Sequence, residues 1–423
     1  MEKITYAGIM ARSFGQASEA LRKLADLPIP EKQVERVTER IGAERVAERD
    51  AALATYQALP LAEQFGVPAG VTPPALAVVM VDGGRMQILD RRPPAAATAT
   101  ANATATPAAQ PEEAWDEDAA ADSRAGHWRE DKVGLLLSMD SGVSAGDPCP
   151  EIPPAFVDPT RIPKLVRELK KSVKATADAV ADSAEPEAAA EALQAETVYE
   201  PPRVCQRQVV ASRQRWPSFA PLVAQAAWRL GLQGAPRRAF VGDGSANNWT
   251  LQRRYFGSFV AILDFIHALS YVYAAAQAGR TFVAGWACYR EWIAWVWQGQ
   301  VQRVLAALEQ RQAELGVPEK DEAETTPRQV VAKTRTYLSH QQDKMRYDEY
   351  RQQGLPLTSS LMESAVKQVN QRVKGTEKFW SEAGGEAVLQ VRADHLSDEQ
   401  PLEEFWQRRQ AQATGQRRYR CVG

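Results

Sequence analysis

Residues 75–87 read "ALAVVMVDGGRMQ", a Val-rich, nearly continuous apolar run that ends in Asp82 and two glycines. A short run of this kind fits a strand buried on both faces. The Asp-Gly-Gly sequence predicts that the strand ends at the acid, because glycine lets the backbone turn sharply. "GRMQILDRR" then reads as a hairpin partner. A second stretch, "FVGDGSANNW" at residues 240–249, repeats the arrangement with Asp243 between Gly242 and Gly244. Asp-Gly alone only marks turns, so the pair of acids gains meaning from what accompanies it.

Outward from these two stretches the chain divides readily. Ala17, Leu21 and Leu24 keep helical spacing, "DLPIPEK" interrupts it, and Val34, Val37 and Ile41 resume it before Gly42. Two helices around a short turn invite a helix-turn-helix reading. Lys32, Arg36 and Arg40 share one face of the second helix, where they would meet DNA; the alternating Glu31, Glu35, Glu39 and Glu44 fit a solvated surface equally. Residues 93–126 are Ala, Thr and Pro followed by acids, too poor in large apolar side chains to pack. "HWREDKVGLLLSMD" restores a strand at 127–140, so the insertion separates neighbouring strands of one sheet. A helix begins at "RIPKLVRELKK", with a weaker Ala- and Glu-rich continuation to about residue 197, and "SFAPLVAQAAWRLGL" is another, closed by Gly231. Short strands follow at 238–242 and in "FVAILDF", separated by a polar stretch, and His267 to about Tyr350 reads as helical throughout.

The last conspicuous helix is "SSLMESAVKQVNQRVKGTEKFW", residues 359–380. Met362, Ala365, Val366, Val369 and Val373 form an apolar stripe. Glu363, Lys367, Asn370 and Lys374, at spacings of 4, 7 and 11, fall within a narrow arc of another face. That face presents an acid with bases. Three acids, two at strand ends and one on a helix, are the hard oxygen ligands that Mg²⁺ takes, and two-metal sites clamp the attacking and leaving oxygens of a phosphodiester.

Composition is compatible with this chemistry. At 423 residues, with 44% hydrophobic and 25% charged residues, the chain reads as a multidomain globular protein. The longest apolar run, Ala75 to Val81, is too short for a bilayer span, and no secretory signal is visible, so a cytoplasmic protein is expected. Cys149, Cys205, Cys288 and Cys421 show no paired spacing and read as reduced thiols. The net charge of -2 includes six acids and no bases in "PEEAWDEDAAAD", residues 111–122; without them the balance is -2 + 6 = +4. Basic clusters at Arg203 to Arg215, at Arg237, Arg238, Arg253 and Arg254, at Lys367 to Lys378, and in "GQRRYRC" suit phosphate contacts.

Together, "VVMVDGGRMQ", "HWREDKVG", "FVGDGSANNW", "ILDFIHALSYVY" and "YRQQGLPLTSSLMESAVKQVNQRVKGTEKFW", with "VLQVRA" after them, resemble DDE transposases with a ribonuclease H-like core. More narrowly they resemble bacterial insertion-sequence transposases of the ISKra type, related to the Mutator-like group. The resemblance runs from about residue 14 to about residue 400. It implies an α/β fold: a ribonuclease H-like mixed sheet core, an all-helical insertion before the catalytic Glu, and an N-terminal helical segment. The corresponding organisation is a helix-turn-helix-like DNA-binding segment at 1–70, a first part of the core at 71–267 and a helical insertion at 268–355. The last core helices then occupy 356–400, and a basic tail 401–423.

Carried over by position, the family's two catalytic aspartates fall on Asp82 and Asp243 and its glutamate on Glu363, separated by 161 and 120 residues. These three would hold two Mg²⁺ ions, for which Mn²⁺ could substitute. Asp264 and His267 match an Asp-x-x-His element, and His267 would either assist at the site or be hydrogen-bonded inside the core. Lys367, Asn370, Arg372, Lys374 and Lys378, with Arg36 and Arg40, are the expected DNA contacts. The activity implied is hydrolysis at the element's ends and joining of the 3′ hydroxyl to target DNA by a homo-oligomer. A catalytically silent, transposase-derived DNA-binding protein is the alternative; a metal-dependent ribonuclease on the same core would not account for the helical insertion.

Overall fold

A computed structural model describes residues 1–89, 115, 127–175, 200–375 and 378–412. The protein is mixed α/β, and its described strands form one six-stranded sheet. Strand β1 (Leu76–Ile88) lies at its centre, with β2 (Trp128–Asp140) antiparallel along one side and β3 (Arg203–Ser212) antiparallel beyond that. On the other side β4 (Arg237–Gly242) and β5 (Val260–Leu263) join in parallel, giving the order β3-β2-β1-β4-β5. The two-residue β6 (Phe379–Trp380) pairs with the far end of β1.

Asp82 does not end its strand. β1 continues to Ile88, and Asp82, Gly83 and Gly84 pair with Val133, Lys132 and Asp131 of β2. "GRMQI" is therefore not a hairpin partner but the second half of the same strand, with its pairing satisfied by β2. The glycines serve close approach instead of a turn: a Cβ at Gly84 would lie 2.7 Å from Asp131 Oδ2.

Helices cover both faces of the sheet. Gly134 of β2 admits Val223, whose Cγ2 would be 3.0 Å from an added Cβ, and so receives helix Trp216–Arg229. Asp131, of opposite parity on the same strand, faces the other way. There Asn370, on the helix Ser360–Val373, approaches Gly84. Among the described residues the helices are α1 (Glu2–Met10), α2 (Phe14–Ala25), α3 (Glu31–Gln57), the short α4 (Leu61–Gln64), α5 (Ile162–Ala175) and α6 (Trp216–Arg229). The polar stretch after β4 is α7 (Ala246–Tyr255), capped by Ser245.

The helical block follows as α8 (Phe265–Gln277), α9 (Phe282–Trp297), α10 (Val301–Leu315), α11 (Pro327–Gln341) and α12 (Tyr347–Gln352). Next come α13 (Ser360–Val373), α14 (Glu382–His395) and α15 (Pro401–Ala411). None is long and apolar enough to cross a membrane.

Four sequence expectations need correction. Helix α3 does not break at Gly42 but runs on to Gln57, and the glycine instead admits α14: an added Cβ would be 2.3 Å from the Ala387 carbonyl oxygen. Leu24, expected in the apolar stripe of α2, is 87% exposed. α13 stops at Val373, and of the residues expected to continue it Phe379 and Trp380 form β6. The cluster at Arg203 to Arg215 conceals strand β3, whose polar residues are those of a protected edge. Three of its arginines are already paired, Arg203 with Asp140, Arg207 with Asp398 and Arg213 with Glu382.

Within the expected unpacked insertion the one described residue, Trp115, does pack: its ring is stacked 6.3 Å from that of Trp216 at 13°. The rest of that insertion, the continuation toward residue 197 and the tail beyond residue 412 lie outside the described residues. Cys149, Cys205 and Cys288 are free thiols.

A candidate acidic site where β1 and β4 run side by side

The parallel register of β1 and β4 ends at Met80 opposite Val241, so two steps further along each strand stand Asp82 and Asp243. Neighbouring strands lie about 4.8 Å apart, which brings these two acids together from 161 residues apart in sequence. The buried Asn248 of α7 braces the pair, donating from Nδ2 to Asp243 Oδ1 at 2.8 Å and to the Val81 carbonyl at 3.3 Å. Asp243 Oδ1 also accepts the Ser245 N–H, closing the turn that starts α7. From the helical block, Tyr337 of α11 donates to the Asp243 carbonyl at 2.7 Å. Gly244 beneath it has φ of +98°, and an added Cβ would lie 2.7 Å from the Tyr337 hydroxyl. Glycine is needed there on both counts.

The third acid arrives through Asp264. This residue is 1% exposed and caps α8, its Oδ1 accepting the Ile266 N–H. Its backbone N–H donates to the Gly242 carbonyl, beside Asp243. Its Oδ2 lies 2.7 Å from His267 Nδ1 and accepts the Ser359 hydroxyl at 2.7 Å. Ser359 in turn accepts the Glu363 N–H on its carbonyl. One buried carboxylate thus joins the end of β4, His267 and the first turn of α13, where Glu363 sits.

The charges act on one another. Burial pushes the Asp82 carboxyl up to about 7, Asp243 adds to the effect and Glu363 adds less, while the Gly83 N–H and His267 oppose it. Glu363 is raised by burial and by Asp264. Burial works against a charged His267, yet the hydrogen bond and charge of Asp264, with Asp243 and Glu363, push it up to about 9. Asp82, Asp243, Glu363 and His267 therefore share one electrostatic neighbourhood. Among the described residues no three His, Cys, Asp or Glu side chains close into a ready-made metal cage.

The expected DNA contacts separate into two groups. Lys367 is exposed on α13, Arg36 and Arg40 are exposed on α3, and Lys374 is half-buried where α13 ends. Arg372, by contrast, is buried: its Nε donates to the Gly8 carbonyl, and its guanidinium lies 4.2 Å from the Phe14 ring centre and 5.0 Å from that of Trp380. It fastens α1 and α2 to α13 and faces no solvent. Lys378 donates to the carbonyls of Gln371 and Arg372, and burial, with the neighbouring Arg372, pulls it down to about 8. Asn370 turns its amide inward over Gly84, with Oδ1 buried and without a hydrogen bond.

Sequence reading missed Asn248 and Tyr337. Asn248 carries a local signal, since it stands three residues after the cap Ser245 and five after Asp243. Tyr337 carries none, being 94 residues from its partner. No protein-family model matches the chain, and no curated protein matches it.

Proposed function

We propose that the protein is a DDE-type DNA transposase that cleaves DNA at the ends of an insertion sequence and joins the freed 3′ hydroxyl to target DNA. The observation that carries this reading is that Asp82 and Asp243 stand side by side where the β1–β4 pairing stops, with His267 and the first turn of α13, which carries Glu363, tied to the end of β4 through Asp264. A mixed sheet of three antiparallel strands extended by two parallel ones fits the ribonuclease H-like core implied by the motif resemblance. The long helical block between β5 and α13 fits an insertion before the catalytic glutamate.

The acids fit a hard divalent cation by charge. A carboxyl held up at about 7 by burial and by a second carboxylate marks negative charge that the Gly83 N–H and His267 offset only in part. Asp82, Asp243 and Glu363 would hold Mg²⁺ or Mn²⁺, which when bound stabilises charge on the attacking and leaving oxygens. Asn248 and Tyr337 hold Asp243 in place, and Asp264 orients His267 while fixing the start of α13. Lys367 and Lys374 would follow the DNA backbone, and the protein would act as a homo-oligomer on DNA.

The test is nicking of DNA that carries the flanking element ends, in Mg²⁺. Wild-type protein is expected to nick it, while Glu363→Gln should bind the DNA and leave it intact. Glu363→Gln cleaving at the wild-type rate would remove Glu363 from the chemistry. Binding without cleavage by wild-type protein would leave a transposase-derived DNA-binding protein.

A further inference from the structure

Gly84 and Asp131 face each other across β1 and β2, and Asn370 of α13 lies over both. A Cβ at position 84 would sit 2.7 Å from Asp131 Oδ2, 2.9 Å from Asn370 Oδ1 and 3.0 Å from Asn370 Nδ2, so the two oxygens are at most 2.7 + 2.9 = 5.6 Å apart. Asp131 is 0% exposed, and neither of its carboxylate oxygens has a hydrogen-bond partner outside its own residue; nor has the buried Asn370 Oδ1. Buried acceptors are almost always satisfied, and three orphans around one glycine call for a shared occupant.

The charged neighbours leave the gap open. Lys132 is committed to Glu130 at 2.9 Å and lies over the Trp216 ring. Lys374 acts on the charge of Asp131 but makes no hydrogen bond to its carboxylate. Burial pushes the Asp131 carboxyl up to about 7, against its own N–H, Lys132 and Lys374.

A carboxylate and an amide oxygen are hard ligands of the kind that bind Mg²⁺ and Ca²⁺. We propose that Asp131 and Asn370, meeting over Gly84, form a binding site for a hard divalent cation of the magnesium class. Ligand contacts of about 2.1 Å place two oxygens on one ion roughly 3 to 4 Å apart, inside the upper bound set by Gly84. Water reaching the half-buried Asn370 would complete the shell. The consequence is mechanical: the ion ties β2 to α13 two turns beyond Glu363 and pins that helix over the sheet. Its ligands are not those of the acidic site, so it stands or falls independently of the proposed strand transfer.

The experiment uses the metal-stripped full chain carrying Asp82→Asn and Asp243→Asn, titrated with Mn²⁺ at pH 7.5 while free Mn²⁺ is read by electron paramagnetic resonance. One Mn²⁺ per chain is expected. Adding Asp131→Asn should weaken it at least tenfold and abolish the Mn²⁺-induced rise in melting temperature. Asn370→Ala should weaken binding more mildly and checks the result should Asp131→Asn fail to melt cooperatively. Absence of bound Mn²⁺ in the starting variant, or binding indifferent to both substitutions, overturns the site. So does a fall in melting temperature on Lys374→Met without Mn²⁺ binding, which would make Lys374 the partner of Asp131.

Discussion

Ser359 donates to Asp264 at 2.7 Å, and through that hydrogen bond the segment leading into α13 is held against the start of α8. The same carboxylate oxygen holds His267. Ser359→Ala is expected to cost about 1.5 to 3 kcal/mol, the typical worth of a hydrogen bond to a carboxylate. Because Glu363 follows in the next turn, the rate of metal-dependent nicking should fall while DNA affinity stays unchanged. Urea unfolding and nicking assays on the one variant check both halves.

Stability should depend on pH through Asp82. Its carboxyl is raised from 3.8 to about 7 in the folded protein, so the native state holds this proton more tightly than the unfolded state. The sign follows: the native protein loses stability as pH climbs from about 4 to about 7, and the full cost is present above that. Asp82→Asn should flatten the slope and stabilise the metal-free protein above pH 7, by roughly 2 to 4 kcal/mol. Asp131, raised to about 7, contributes over the same window, so the single substitution removes only part of it. Urea melts in chelator from pH 4 to 8 measure the effect.

Two bases of α13, Lys367 and Arg372, should behave oppositely. Arg372→Ala removes a buried cation from between Phe14 and Trp380 and strands the Gly8 carbonyl, so a loss of roughly 2 to 4 kcal/mol is expected. Lys367→Ala, on the exposed face, should change stability by less than about 0.5 kcal/mol. It should instead weaken DNA binding and reduce its salt slope by about one. Melting curves beside salt-dependent binding isotherms separate the two roles.

Trp115 should anchor its insertion. Its ring stacks on Trp216, and the Arg254 guanidinium lies 5.2 Å from its ring centre. Trp115→Ala is expected to cost about 1 kcal/mol beyond the area it exposes. Replacing residues 93–126 by a Gly/Ser linker should therefore lower the melting temperature to the level of Trp115→Ala, and no further.

The alternation of apolar residues, the helix caps and the breaks at Pro and Gly are local signals, and they were enough to find β1, β2, β4, β5, the helical block and the amphipathic face of α13. Asp243 and Glu363 could be picked out from the strand end and the helix face they occupy, Asp82 from the Asp-Gly-Gly that closes an apolar run, and His267 only from the motif resemblance. Long-range packing decided the rest. That Asp82 lies in the middle of a strand depends on β2 pairing past it, and glycine favours a turn or a close approach equally until the neighbour is known. Arg372 belongs to the same basic cluster as Lys367, yet it is withdrawn from solvent by Gly8 and Phe14, more than 350 residues earlier. Asp131 reads as one more charge in "WREDK" until a facing glycine and an asparagine 239 residues away enclose it. Spacing along the chain sets which face of an element a side chain occupies, but its burial and its partners depend on what folds against that face.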